Sequence, residues 1–264
     1  MDEGADTLPA TCFISHAYAD AVARDTLIER LPTGVTPFLF PPITVKPEEF
    51  VSDPLINAVL ANDGLIYLRG GASDRSFWVA LERDYALRAG KKVFAFDAAT
   101  GELTRDMGGP LDLAAFASYH REDAAEVRRI ADFLNQKRHF DMWLDVADLA
   151  LGSNIQQSMS TSLSERLARG GYAVIFWSHA ASRSKWVNDD VERAANGMAS
   201  FNDRVLFGLL EPCPLPEFWL QFHEPSVQLY GDADRSTTQR LDDLVVRLYW
   251  MIYRKTKLAS SEGP

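Results

Sequence analysis

Two stretches of the chain read almost alike: Ser76-Phe77-Trp78-Val79-Ala80-Leu81-Glu82 and Ser184-Lys185-Trp186-Val187-Asn188-Asp189-Asp190. In both, Ser-x-Trp-Val is followed by a carboxylate four residues after the tryptophan. Residues four apart share one face of a helix, so the indole and the carboxylate are expected side by side near the helix start. Upstream of each lies a second repeated element. Phe13-Ile14-Ser15-His16 with Asp20 parallels Phe116-Ala117-Ser118-Tyr119-His120 with Asp123, each an apolar run ending in serine with an acid near the next helix start. Working outward, short apolar runs alternate with longer amphipathic ones. That alternation predicts α/β architecture: two flavodoxin-like domains, each a parallel sheet flanked by helices.

The first half is expected to hold strands at 11–15, 35–40, 64–68 and 93–96. Its helices are expected at 19–31, from 52 or 53 to about 62, and 77–89, the first with an apolar face of Val22, Leu27 and Leu31. Residues 98–110, rich in glycine, proline and polar residues, read as a linker or an irregular edge. The pattern then restarts, with strands at 113–118, 140–145, 172–177 and 205–210 and helices at 126–137, 155–169 and 186–196. The offset of roughly 105 residues predicts two domains, 1–110 and 111–264. The second adds a short apolar segment at 227–230 and a terminal helix at 237–254, whose Leu241, Leu244, Val245, Leu248 and Ile252 predict packing on the sheet.

Composition narrows the function classes. The 264 residues are 47% hydrophobic and 24% charged, values ordinary for a folded soluble protein. Thirty-seven acidic against 27 basic residues leave a net charge of −10, which disfavours nucleic acid as a primary partner. No apolar run approaches the roughly 20 residues of a membrane span, and the polar start lacks a secretory signal, so a cytosolic location is expected. Cys12 and Cys213 are expected to be buried thiols, and no histidine pair has ligand spacing, so no metal is expected.

The repeated residues resemble the Toll/interleukin-1 receptor (TIR) domain family, most fully over residues 113–210. Phe116-Ala117-Ser118-Tyr119 resembles its first-strand box, and Leu144-Asp145-Val146 with Leu149 and Gly152 its second strand and following loop. Val174-Ile175-Phe176-Trp177-Ser178 and Ser184-Lys185-Trp186-Val187 resemble its third strand and helix. Residues 11–97 resemble a divergent copy, because 40–47 lacks the loop pattern. The resemblance implies a tandem bacterial TIR protein that cleaves NAD, its substrate rather than a cofactor, at the nicotinamide-ribose bond. Hydrolysis or cyclisation of ADP-ribose in anti-phage immunity would be its role.

The family's catalytic glutamate falls on Glu82 and, one methylene shorter, on Asp190. Nicotinamide leaves a cationic pyridinium as a neutral molecule, so one carboxylate beside the ribose suffices and no general acid is needed. Trp78 and Trp186 are expected as apolar walls, and Ser15, His16 and Tyr18, with Ser118 and Tyr119 in the second half, as substrate contacts. Assembly with other TIR domains, as a homo-oligomer or larger assembly, is also implied, with the Glu82 helix meeting the 146–154 loop of a second domain.

Other readings stay open. Glu82 alone could be a solvated helix carboxylate paired with Arg75 or Arg83, and Asp145 could simply hold its loop. Asp63-Gly64-Leu65-Ile66-Tyr67-Leu68 followed by Glu82, Ala86 and Gly90-Lys91 also resembles the nucleoside deoxyribosyltransferase family, whose glutamate attacks an anomeric carbon. A non-enzymatic TIR adaptor is the alternative from a different functional class.

Overall fold

The computed structural model describes residues 7–43, 53–111, 115–144, 171–185, 187–188, 191, 204–217, 226–231 and 236–261. Contacts divide the chain into two compact units, Met1–Leu111 and Asp112–Pro264.

The first unit runs β1 (Thr11–Ser15), α1 (Ala21–Arg30), β2 (Thr36–Phe38), α2 (Asp53–Ala61), β3 (Gly64–Arg69), α3 (Phe77–Arg88), β4 (Lys92–Asp97) and β5 (Leu103–Arg105). Its sheet has the order β2-β1-β3-β4-β5. The first four strands are parallel and β5 is antiparallel to β4. Both faces of the central strands are apolar, as a sheet covered by helices requires. Cys12, Ile14, Ile66, Leu68, Phe94 and Phe96 form one face and bury Leu27 of α1. Phe13, Leu65 and Val93, at alternate positions, are buried on the other.

Three expectations are corrected here. The 98–110 segment is more than a linker, because it contributes β5; Arg83 of α3 holds it through a 2.6 Å ion pair from Nε to Asp106. Helix α1 begins two residues later than expected, after a 3-10 turn at Tyr18–Asp20. Val22 does not share the face of Leu27, and 82% of it is exposed. Five positions advance a helix by roughly 500°, which leaves the two side chains about 140° apart, whereas Ala23 and Leu31 lie four residues either side of Leu27 and do pack on the core.

The second unit runs β6 (Ala115–Ser118), α4 (Ala124–Arg138), β7 (Met142–Leu144), β8 (Tyr172–Trp177), α5 (His179–Arg183), β9 (Val205–Leu209), β10 (Val227–Gln228) and α6 (Thr237–Ser261). The sheet order β7-β6-β8-β9-β10 repeats that of the first unit, here with every described pairing parallel. Phe116, Ala173, Ile175, Trp177, Val205 and Phe207 form one core face. The short helix α5 was not expected from periodicity; five residues are too few to show one. On α6, Leu241, Leu244, Val245 and Leu248 are buried, and the helix packs against β10 and α4. Cys12 is buried as expected, but Cys213 is only half-buried, against the Trp177 side of the core.

Among the described residues no helix is long and apolar enough to cross a membrane, and no group of three histidine, cysteine or acidic side chains could hold a metal ion.

Candidate functional site

In a parallel sheet of this order, ligands bind at the carboxyl ends of the strands. The first unit has a cleft there of about 390 Å³, with Phe13, Ile14 and His16 on one side. Leu39 to Ile43, just past β2, form a second wall, and Trp78 and Glu82 of α3 lie on a third. The sequence builds the last of these locally. Ser76 caps α3 by accepting from the Val79 amide at 3.4 Å, and the helix then presents Trp78 and Glu82 on one side. Trp78 is half-buried, its ring edge-on to Phe77 at 4.9 Å between centroids.

Glu82 is buried, with 6% of its surface exposed. Its neighbours away from the cleft are Leu55, Ile56, Val59 and Tyr85, an apolar wall from α2 and α3. Ser15, fully buried at the end of β1, donates from Oγ to Glu82 Oε2 at 2.5 Å. Burial pushes the Glu82 carboxyl up to about 8, and the bond from Ser15 opposes that rise. The solvated pairing with Arg75 or Arg83 is overturned: Glu82 is not solvated, it bonds Ser15, and Arg83 bonds Asp106.

The loop after β1 is held by a latch. Asp20 accepts from the Ser73 amide at 2.7 Å, the Ser73 hydroxyl at 2.6 Å and the Ala72 amide at 3.1 Å. Ser73 Oγ in turn accepts from the Ala17 amide at 2.9 Å. Burial alone would raise the Asp20 carboxyl, but these bonds prevail and hold it below its ordinary value. Gly71 completes the latch: at φ +65° it adopts a left-handed conformation, and a Cβ there would lie 2.6 Å from Asp20 Oδ1. The second unit repeats the device, since Ser178 after β8 donates to Asp123 after β6 at 2.6 Å. Ser184 likewise repeats the Ser76 cap, accepting from the Val187 amide at 3.4 Å.

His16 stands at the mouth. Its Nδ1 lies 3.4 Å from the Ile14 carbonyl and its Nε2 lies 3.3 Å from Arg24 Nη1. An arginine can only donate, so Nε2 is the acceptor and the ring is neutral with its proton on Nδ1. Burial lowers its basicity, and the Arg24 charge lowers it further.

The structure therefore brings Ser15, His16, Tyr18, Trp78 and Glu82 together. Tyr18 does so from an exposed position, 70% accessible. In the second unit Ser118 and Tyr119 are buried at the end of β6. Trp186 and Asp190 lie outside the described residues, as do Asp145, Gly152 and the loop 146–154. Sequence reading missed Arg24 and the wall at 39–43. Arg24 carries no motif, and the loop departs from the pattern that would have marked it.

Residues 116–245 match the family model described as "TIR domain". The match lies wholly within the second unit and extends past the resemblance at 113–210 into α6, whereas the Glu82 cleft lies in the first. The crystal structure of the TIR domain of the Toll-related receptor TRR-2 from Hydra magnipapillata is similar at 12% identity and a TM-score of 0.35. That alignment covers 54% of this chain and 97% of the other. No curated protein sequence matches the chain.

Proposed function

From a second unit that carries a TIR domain at residues 116–245, we propose that the first unit is a divergent copy of that domain and that the chain cleaves NAD in the Glu82 cleft. The observation that carries this reading is the buried Ser15–Glu82 pair facing a cleft beside Trp78. Support for the divergent copy comes from the shared strand order, Ser–Asp latch and serine cap.

The bond between ribose C1′ and the nicotinamide nitrogen breaks with its electron pair passing to the ring, which leaves neutral. Positive charge develops on the ribose, and a carboxylate held in a water-poor cleft stabilises it. At neutral pH the free protein holds Glu82 largely protonated, so binding of the pyridinium cation must displace the proton; the bound cation supplies the counter-charge that burial denies. Ser15, which already donates to Glu82 Oε2, then stabilises the anion that forms. C1′ then bonds either to water, whose proton returns to the Glu82 carboxylate, or to a nucleophilic atom of the same ADP-ribosyl group. We place this activity in a cytosolic bacterial anti-phage response.

Purified protein incubated with NAD should release nicotinamide, and Glu82→Ala should not. Chromatography of the products distinguishes hydrolysed from cyclic ADP-ribose. Absence of nicotinamide from wild-type protein at every concentration overturns the reading.

Exposed Val22 on α1 and exposed Tyr18 at the cleft favour a second reading, in which the chain assembles with other TIR domains without catalysis. An assembly-activated enzyme gives activity rising faster than linearly with protein concentration, whereas an adaptor gives no product.

A further inference from the structure

Among the described residues lining the cleft, Arg24 is the one permanent cation, in a chain of net charge −10. It reaches the cleft from α1, its side chain 20% exposed. Its partners are weak competitors for an incoming anion. Asp25, the adjacent residue, accepts from Nε and Nη2 at 2.8 Å but has 60% of its side chain exposed, where an ion pair is worth at most about 1 kcal/mol. His16, the other partner, is a neutral acceptor that adds no counter-charge. Asp20, just before α1, is engaged by Ser73 and Ala72.

At about 390 Å³ the cleft lies within the roughly 300–1,000 Å³ of small-molecule sites, enough to admit a nucleotide. Resting on the reading of Glu82 as the group beside the scissile ribose, we propose that Arg24 binds the 5′-phosphate of that same ribose. The smallest ligand to engage it is then a pyridine nucleotide with a single phosphate. A guanidinium meets phosphate through two parallel N–H donors, a geometry that the exposed, adjacent Asp25 does not match for desolvation or charge. The rest of a dinucleotide leaves the cleft past exposed Tyr18.

The test titrates full-length protein with Glu82 intact, by calorimetry, with the carbocyclic analogues of nicotinamide riboside and nicotinamide mononucleotide, which lack the ring oxygen needed for an oxocarbenium ion and so bind without turnover. The mononucleotide should bind about tenfold tighter or more, the gain expected of a charge-assisted pair. Arg24→Gln should erase that advantage while leaving riboside affinity unchanged, which also reports an intact fold. Arg24→Lys should retain part of it. If Arg24→Gln weakens both ligands equally or neither, the inference fails while the Glu82 reading stands. If neither ligand binds to the Arg24-intact protein, both fail together.

Discussion

Two buried carboxyl groups, one from each unit, are treated differently, while Asp84 of the first unit is buried against Arg88 at 2.8 Å. In the second, Asp242 of α6 meets Arg138 of α4 through Nε at 2.5 Å and Nη2 at 2.9 Å, a bidentate pair shut away from solvent. In the first, Glu82 has a serine hydroxyl for a partner and a cleft in front of it. A buried charge met by its opposite fastens two helices. A buried carboxyl without a counter-ion is costly to ionise, and such groups concentrate where a ligand supplies the missing charge.

The largest expected effect tests the cost at Glu82. Its pKa of about 8 in the folded protein, against an ordinary 4.5, means the native state holds a proton that the unfolded state has released between those values. Stability is therefore lost as pH rises from 4.5 to 8 and then levels. Glu82→Gln removes that loss, so its advantage over wild type in urea unfolding should be near zero below pH 4.5 and reach as much as about 5 kcal/mol above pH 8. A difference independent of pH would remove the contrast between the two carboxyls.

Arg138→Ala, in contrast, leaves Asp242 buried without its partner and should destabilise the protein by about 3–5 kcal/mol, read by denaturant unfolding. The double variant Arg138→Met with Asp242→Leu should recover most of that, because the loss comes from the orphaned charge. The latches give a smaller effect. Asp20→Ala and Asp123→Ala should each cost about 1–3 kcal/mol, but only Asp20→Ala releases the His16–Tyr18 loop and should impair nicotinamide release. Equal catalytic losses would mean that the second unit shares the site. The smallest change is expected from Ser15→Ala. Loss of the hydroxyl donor raises the Glu82 carboxyl further, moving the pH–rate profile to more alkaline values and slowing reaction at pH 7 by about tenfold or less.

The contrast was only partly legible beforehand. Periodicity located the strands that are short apolar runs, and the paired Ser-x-Trp-Val segments located α3. What escaped depends on contacts between distant residues. Glu82 is buried because α2 lays Leu55, Ile56 and Val59 against it, and no spacing within α3 announces that. Arg24 of α1 lines the cleft together with residues 39–43 and α3, segments far apart in the chain. The antiparallel β5 follows from the Arg83–Asp106 pair and from cross-strand bonding to β4, too short a strand for alternation to reveal.

The most direct measurement is nicotinamide release from NAD by wild type, Glu82→Ala and Asp190→Ala between pH 6 and 9. The account predicts a wild-type rate, measured as kcat/KM, that rises with pH up to about 8, a loss of roughly 10²–10³ in Glu82→Ala, and little change in Asp190→Ala. Full activity in Glu82→Ala together with its abolition in Asp190→Ala would contradict it.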